Sequence, residues 1–479
     1  MHVRTILAGA ALGLLPAVLA ATAASGTQTT DPRPARDPVS RWVEHRGAAL
    51  SSVDPGAPDA DLTPLRQSVG GARIVGLGEA AHRLAEVTTL RQRALQYLVK
   101  RMGFRSIAWE EDWSLGTQIN DYVLGRRDDR DALVGQMSKT AWRTREVADV
   151  LTWLRAWNDT HRDEVRFFGV EYFATRPFAY DRVEQYVADA APDVLPQAQE
   201  HLSFLQPFTE DMGEYLEWFR DEVEDKQAYV RSAERLHDLV AAIPHRPGDH
   251  DHALAEHVTR QIRAFYTAFT IQGNYAFRDA RAAENLRWWE RFSGDKIVYW
   301  AASAHTADVP DLTITLPPPF PDARFASVGS YLRDWYGRSY RSVGFTFDHG
   351  VIAATPGNPV DLPAPLPEWF EHPLGNVDTS QFLYDVRRPA PRPVRDWLAR
   401  PMVTRGGTAG GRLRLHDERR NPGPLVRRHR APAAGHPGHS PGLSRLGRTR
   451  PAHRDRDSCT RGQGHSSTAG RAQPLLQMG

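Results

Sequence analysis

Three apolar runs of the sequence each lead directly into a carboxylate, and this repetition constrains the fold more than any other feature. The runs and the acids that follow them are Ala72–Leu77 with Glu79, Phe104–Trp109 with Glu110, and Val165–Val170 with Glu171. Short apolar runs of this kind, separated by segments with a helical period, are typical of buried parallel strands. The sequence therefore predicts an α/β fold with a mainly parallel central sheet flanked by helices, and carboxylates gathered along one edge.

The first of these runs ends in a segment that carries several reactive side chains. Glu79, His82 and Glu86 follow within ten residues of Leu77, and Gly76 and Gly78 are expected to let the backbone turn tightly. A helix is predicted over Glu86–Arg101, with Gly103 as its C-terminal cap. Because ligands of open α/β sheets bind between a strand's carboxyl end and the following helix, this turn is the first candidate site.

A fourth predicted strand, Lys296–Ala302, is followed closely by His305, and Ser339–Thr346 and Phe382–Val386 are predicted as further strands. Between the third and fourth strands, residues from about 177 to 289 are mostly helical in pattern, with a break at Pro244–Asp251. This segment is too long for a simple crossover connection. We predict a helical insertion that covers the sheet edge as a lid.

The ends of the chain differ from its middle. Residues 1–24 have a short basic start, an apolar run and small residues, as in a signal peptide, and 25–40 resemble a linker. The predicted α/β domain spans 41–405, and secretion or another extracytoplasmic location is expected. The single cysteine, Cys459, allows no intramolecular disulfide, so packing must hold the domain together.

Residues 406–479 form a basic segment that is predicted to be a disordered tail. From Thr408 onward it contains 14 Arg against four acids and has no Phe, Tyr, Trp, Ile or Lys, so it can bury little apolar surface. Either a basic arm for anionic partners or an out-of-frame translation accounts for it. The formal charge of the remainder is −8 because the whole chain carries +2, which argues against a nucleic-acid groove.

Several separate motifs are similar to those of the erythromycin esterase family, in the family's order. They are Leu77-Gly-Glu-Ala-Ala-His82 with Glu86 and Arg91, Trp109-Glu110, the stretch from Trp142 to Asn158, Arg278-Asp279 with Asn285, and His305. Two positions depart from the family pattern: Ala302 stands where a first histidine is usual, and Arg83 replaces a common glycine. The resemblance covers roughly residues 41 to 400 and implies hydrolysis of an ester, with a macrolide lactone as the family's named substrate.

Ester hydrolysis needs a base, a group that orients it, and a donor for the oxyanion. His82 is the candidate base because its ordinary pKa of ~6.5 is closest to working pH. Glu79 or Glu110 is expected to orient it, and Arg91 to fix a carboxylate or bind substrate. The resemblance adds His305 as oxyanion donor or proton shuttle, and Glu86, Arg83 and Asp279 are candidate substrate-binding residues.

Other interpretations of the same residues stay open. Glu86 also suits a purely structural role at a helix start, and Glu171 is expected to be structural. Glu79, His82, Glu110 and His305 are also possible ligand types for a divalent metal, although no zinc motif occurs and no cofactor is expected. A third possibility is a folded but inactive binding relative.

The expected partner is therefore a small-molecule ester. Neither nucleic-acid binding nor membrane insertion after signal cleavage is expected, and the sequence leaves the oligomeric state open. Nucleophilic catalysis lacks a candidate residue, because no Gly-x-Ser-x-Gly motif occurs and Cys459 lies in the predicted tail.

Overall fold

The computed structural model of the protein describes residues 37–139, 141–173, 175–271, 273–315, 322–355, 358–405 and 412–415. The described helices are α1 (Pro38–Arg46), α2 (Thr63–Val69), α3 (Ala85–Met102), α4 (Trp113–Val123), α5 (Arg130–Gln136), α6 (Arg145–Thr160), α7 (Pro177–Ala190), α8 (Leu195–Leu205), α9 (Met212–Asp221), α10 (Lys226–Ala241), α11 (His250–Ala268), α12 (Tyr275–Ser293), α13 (Ser303–Thr306), α14 (Val328–Tyr336) and α15 (Arg392–Ala399). The described strands are β1 (Ala48–Ala49), β2 (Ile74–Glu79), β3 (Ser106–Asp112), β4 (Arg166–Glu171), β5 (Ile297–Ala302), β6 (Leu312–Thr315), β7 (Ala323–Phe325), β8 (Tyr340–Phe345), β9 (Gly350–Thr355), β10 (Asn358–Leu362), β11 (Phe382–Leu383), β12 (Met402–Arg405) and β13 (Arg412–Leu415).

The centre of the protein is a five-stranded parallel sheet in the order β4-β3-β5-β2-β8. Strands β2, β3, β4 and β5 are buried on both faces, whereas the edge strand β8 is only partly buried. Successive residues of the buried strands alternate between two apolar clusters, as parallel strands covered by helices require. Val75 and Leu77 pack with Leu95 of α3 on one face. Ile74 packs with Leu286 of α12 on the other. The predicted α/β fold with a mainly parallel sheet is confirmed.

The segment predicted as a helical insertion consists of helices α7 to α12, with a break between Ala241 and His250. These helices enclose an apolar cluster of their own that includes Tyr180, Leu236 and Phe265. The last helix, α12, packs its Ala282, Ala283 and Leu286 against the sheet. The insertion is therefore tied to the sheet through the helix that carries Arg278 and Asp279. Its role as a lid stays a prediction.

Three predicted boundaries differ from the structure. The first helix begins at Pro38, inside the predicted linker, because Asp37 caps it with a bond from Val39 N of 3.0 Å and proline suits a first turn. The run Phe382–Val386 forms only the two-residue strand β11, which pairs with β1 outside the main sheet. Within the predicted tail, β13 pairs with β12 and β6, and the rest of 406–479 lies outside the described residues. The signal peptide at 1–24 also lies outside them.

Gly76 and Gly78 do not form the predicted tight turn. Both lie within β2, and a side chain at Gly78 would overlap the Thr306 hydroxyl of α13. These glycines therefore serve close packing of α13 against the strand. The turn itself contains Arg83, whose φ of 65° is the only positive value at a non-glycine residue in the described part of the chain.

Candidate active site

The carboxyl edge of the sheet brings the predicted acids side by side. Glu79 ends β2, Glu110 lies in β3 at a shift of register, and Glu171 ends β4. Between β3 and β2 lies β5, whose last residue, Ala302, is the register partner of Glu79 and donates its N–H to Glu110 Oε2 at 2.7 Å. The three acids are therefore neighbours across four adjacent strands, as the repeated sequence pattern predicts.

His82 and Arg91 both bind the carboxylate of Glu79. Glu79 Oε1 lies 2.6 Å from His82 Nδ1, and Glu79 Oε2 accepts from Arg91 Nη1. Arg91 Nη2 also donates to the carbonyl oxygens of Leu77, at 2.7 Å, and Ala301, at 3.0 Å. Glu79 and Arg91 are fully buried, and the guanidinium lies 3.9 Å from the centroid of the Trp300 ring. Arg91 thus compensates the buried charge of Glu79 and fixes its orientation.

The imidazole of His82 is held on two sides. Its edge meets the ring of Trp142 at a centroid distance of 4.8 Å, and Trp142 Nε1 in turn donates to the backbone oxygen of Glu110 at 2.8 Å. The His82 side chain is 12% exposed, and its Nε2 has no hydrogen-bond partner among the residues that the structure describes. With Nδ1–H on Glu79, Nε2 is the basic nitrogen and is available to a ligand or water.

A second group of charges surrounds Arg278 of α12. Arg278 Nη2 lies 2.8 Å from Glu110 Oε1 and 3.0 Å from Glu171 Oε1, while Nη1 lies 2.8 Å from His305 Nε2. All four side chains are buried. We refer to Arg278, Glu110, Glu171, His305 and Asp279 as the Arg278 cluster. Sequence reasoning noted Arg278 only as part of a similar segment, and it placed Asp279 among the substrate-binding candidates.

The imidazole of His305 lies between the carboxylate of Asp279 and the guanidinium of Arg278. Its Nδ1 is 3.0 Å from Asp279 Oδ2, which also accepts from Val328 N at 3.0 Å. Burial and Arg278 oppose a charge on His305, but Asp279 and Glu110 outweigh them and raise its pKa. The 2.8 Å contact with Arg278 requires Nε2 to accept and therefore suits the neutral ring. A protonated His305 carries a hydrogen on Nε2, so that Nε2 can no longer accept from Arg278. The ring must then turn Nε2 toward Glu110 Oε1, which lies 3.4 Å away.

Glu110 and Glu171 have opposite protonation behaviour although both are buried at the same edge. Burial alone raises the pKa of Glu110, but His305, Arg278, His82 and the Ala302 N–H together lower it to about 2. For Glu171, burial raises the pKa most, and the negative charges of Glu110 and Asp279 raise it further. The positive charges of Arg278 and His305 lower it by less, so the pKa of Glu171 rises to about 7. Glu171 Oε2 is buried with no hydrogen-bond partner in the described structure. Glu171 is thus a titrating group of the site, whereas the sequence indicated only a structural role.

The three candidate substrate-binding residues, Glu86, Arg83 and Asp279, differ in their surroundings. Glu86 is exposed in the first turn of α3, where an acid is favoured by the helix dipole, and it makes no ion pair with a described residue. Arg83 donates to the backbone oxygen of Lys139 at 3.3 Å. Its left-handed backbone explains physically why glycine suits this position. Asp279 contacts His305 and the start of α14 rather than an open surface.

The possible metal ligands do not gather into one set. Within the described ranges, no group of three or more His, Cys, Asp or Glu side chains is arranged to hold a metal ion. Glu79 faces Arg91 and His82, and Glu110 faces Arg278 and the Ala302 N–H. In the structure these carboxylate oxygens bind cations and N–H donors. That no metal takes part stays a prediction.

A parallel sheet with an acid–histidine pair and a cationic cluster at its carboxyl edge is the arrangement of an α/β enzyme site. The erythromycin esterase family model matches residues 99–420, and the chain belongs to this family. It is 28% identical over 130 residues to an erythromycin esterase type II of Escherichia coli, covering 27% of this chain and 30% of that protein. The chain thus aligns with less than a third of this relative's length.

Solved structures extend the similarity over most of the fold. A protein from Bacillus cereus has a TM-score of 0.68 at 25% identity, covering 78% of this chain and 93% of the other. A succinoglycan biosynthesis protein gives 0.64 at 23%, with coverage of 76% and 90%. A histidine-to-asparagine mutant of the erythromycin esterase EreC, in its open conformation, gives 0.59 at 16%, with coverage of 77% and 93%. No described helix has the length and apolar character needed to cross a membrane.

Proposed function

We propose that this protein is a carboxylic ester hydrolase in which His82 activates water. Membership in the erythromycin esterase family supports an esterase-type hydrolase. The observation that carries the mechanism is the pairing of His82 Nδ1 with Glu79 Oε1 at 2.6 Å, with Arg91 holding the other carboxylate oxygen. A carboxylate bound to Nδ1–H fixes the imidazole tautomer and leaves Nε2 as the base.

In the proposed reaction, His82 Nε2 takes a proton from water while the water oxygen attacks the ester carbonyl carbon. Glu79 stabilises the imidazolium that forms. Arg278, one of whose N–H groups donates to His305 in the structure, is the proposed donor to the carbonyl oxygen as negative charge develops there. When the intermediate collapses, the C–O bond to the leaving group breaks and the imidazolium returns its proton to the departing alkoxide. The products are an alcohol and a carboxylic acid, which then releases its proton to solvent and leaves as the carboxylate.

A macrolide lactone is the proposed substrate class. It is supported by the family and by the naming of two similar proteins as erythromycin esterases. The helical insertion α7–α12 is proposed to shape the pocket, because its last helix delivers Arg278 and Asp279 to the sheet edge. A lactone is a cyclic ester, so the carboxylic acid and the alcohol formed by its hydrolysis remain parts of one molecule. The same chemistry therefore opens the ring by addition of one water.

The test is the His82→Ala variant, assayed by mass spectrometry for the water adduct of erythromycin and of simple aryl esters. Loss of a general base costs ~10²–10⁴-fold in rate, and we expect that loss with the fold retained, because His82 lies in a turn and Arg91 still binds Glu79. The matched control is His45→Ala, an exposed histidine at the end of α1. An ester that both variants cleave at the wild-type rate would show that His82 is not the base.

A binding assay with the same compounds separates an esterase from a binding relative. A protein that binds a macrolide but leaves it intact, with or without added metal, is a binding relative rather than an esterase. Isothermal titration of erythromycin into the wild type, before any turnover assay, therefore distinguishes failed catalysis from failed recognition.

A further inference from the structure

A basic cleft lies at the end of the sheet opposite the candidate active site. Strand β8 runs from Tyr340 to Phe345, and Phe345 is the register partner of Glu79, so Arg341 lies near the strand's amino end. The cleft has a volume of about 610 Å³ and is lined by the arginines 333, 338, 341, 387 and 388. Because these residues come from α14, the turn after it, β8 and the segment that follows β11, separate parts of the chain converge on one cavity.

Two of the five arginines are neutralised by carboxylates of the same cleft. Arg333 Nε lies 3.1 Å from Asp308 Oδ2, and Arg387 binds both oxygens of Asp385 at 2.8 and 2.5 Å. The bonds from Arg387 help to lower the pKa of Asp385 to about 2, so this acid stays ionised. Arg338, Arg341 and Arg388 contact no carboxylate in the described structure. Three positive charges in the cleft are thus uncompensated.

Arg341 is the most informative of the three because it is only partly exposed. Its described bond is a weak one from Nη1 to the Tyr340 backbone oxygen at 3.3 Å, and its buried Nε has no described hydrogen-bond partner. Burial lowers the pKa of Arg341, and the positive charges of three neighbouring arginines, 387, 333 and 338, lower it further. The negative charge of Asp385 raises it by less. Holding like charges close together costs free energy, which a bound anion would recover.

We propose that this cleft binds a phosphate-bearing small molecule or inorganic polyphosphate, with the phosphate oxygens on Arg338, Arg341 and Arg388. Guanidinium groups present paired N–H donors that match phosphate oxygens. Three uncompensated cations match a multivalent anion better than a single carboxylate, which carries one charge. The cavity has room for a diphosphate. This inference is independent of the ester hydrolysis proposed above, since the cleft and the active site lie at opposite ends of the sheet.

The probe is inorganic pyrophosphate, titrated calorimetrically into the purified full chain at low salt, with inorganic phosphate, glycerol phosphate and succinate in parallel. We expect pyrophosphate to bind, the affinity to fall as salt rises, and Arg341→Gln to weaken it about tenfold or more. Arg341→Lys, which keeps the charge but loses the fork, should lie between the two. The matched control is Arg235→Gln, which removes an exposed arginine from α10 and should leave binding unchanged.

The proposal fails if pyrophosphate does not bind the wild type, if Arg341→Gln binds it as tightly as the wild type, or if succinate binds equally well. Tighter binding of glycerol phosphate than of pyrophosphate identifies a phosphate ester as the occupant, and the reverse identifies polyphosphate. Circular dichroism of Arg341→Gln, compared with Arg235→Gln, shows whether a loss of binding arises from unfolding.

Discussion

The substitution Glu171→Gln tests whether this buried carboxyl carries a proton near neutral pH. Glu171 is 1% exposed, binds Arg278 through one oxygen at 3.0 Å and leaves the other oxygen without a described partner. Burial raises its pKa from an ordinary 4.5 to about 7. Glutamine has nearly the same shape as the protonated acid, so the variant isolates the free energy of ionising this one group.

The sign and size of the effect follow from proton linkage. Because the folded pKa is raised, the unfolded state loses this proton first, and the stability that the group contributes below about pH 4.5 is lost as the pH rises through about 7. Each unit of pKa corresponds to ~1.4 kcal/mol, so the shift corresponds to about 3 kcal/mol. The variant cannot ionise at this position and does not lose that stability. Relative to wild type, Glu171→Gln should therefore gain up to about 3 kcal/mol between acid and neutral pH.

Urea denaturation at a series of pH values from about 4.5 to about 8 measures this difference directly. Subtracting the free energy of unfolding of the wild type from that of the variant at each pH cancels the contributions that the other titrating groups make to both proteins. Glu234→Gln, an exposed glutamate of α10, is the matched control and should follow the wild-type pH dependence. Parallel curves for wild type and Glu171→Gln would refute the argument, since they would mean that Glu171 is ionised throughout this range.

Three further predictions concern Arg91, Arg83 and His82. Arg91→Met should cost ~3–5 kcal/mol in the free energy of unfolding, because it leaves the buried Glu79 uncompensated; in the double variant with Glu79→Gln, urea denaturation should recover part of this loss. Arg83→Gly should be more stable than Arg83→Ala by ~1 kcal/mol, because a left-handed backbone costs ~1–2 kcal/mol with a side chain and glycine's chain entropy offsets part of the gain; equal stabilities would show that the turn is not strained. Activity that rests on His82 alone should survive exhaustive chelation, whereas its loss and recovery with added zinc or manganese would indicate a metal-bound hydroxide.

Much of the sheet could be predicted from the sequence because each central strand is buried on both faces and so appears as a continuous apolar run. The runs that carry Glu79, Glu110 and Glu171 all lie in the central parallel sheet. The helical period of α3 correctly places Arg91 about two turns into the helix. A contact between residues of one strand–turn–helix unit depends on local geometry alone. That is why the sequence could predict that Arg91 fixes a carboxylate of the site, although it did not identify Glu79 as that carboxylate.

The structural roles of Gly76, Gly78 and Arg83 could not be predicted in the same way. Gly76 and Gly78 look like turn residues, but their function is to admit α13 close to β2, which is a property of a segment more than 200 residues away. Conversely, the residue that adopts a left-handed conformation is Arg83, a poor choice on local propensity. Neither fact follows from local sequence preferences, because tertiary packing determines both.

The protonation of the Arg278 cluster is the least local property of the site. Glu110 and Glu171 lie near the carboxyl ends of adjacent strands, yet the pKa of Glu110 falls to about 2 and that of Glu171 rises to about 7. The difference arises because Glu110 receives the Ala302 N–H and lies near His305 and His82, whereas Arg278 alone contacts Glu171. One guanidinium cannot compensate three buried carboxylates, so a proton must stay on the acid with the fewest donors. Glu171 therefore titrates because α12 brings a single cation to this edge, a consequence of how the insertion packs on the sheet.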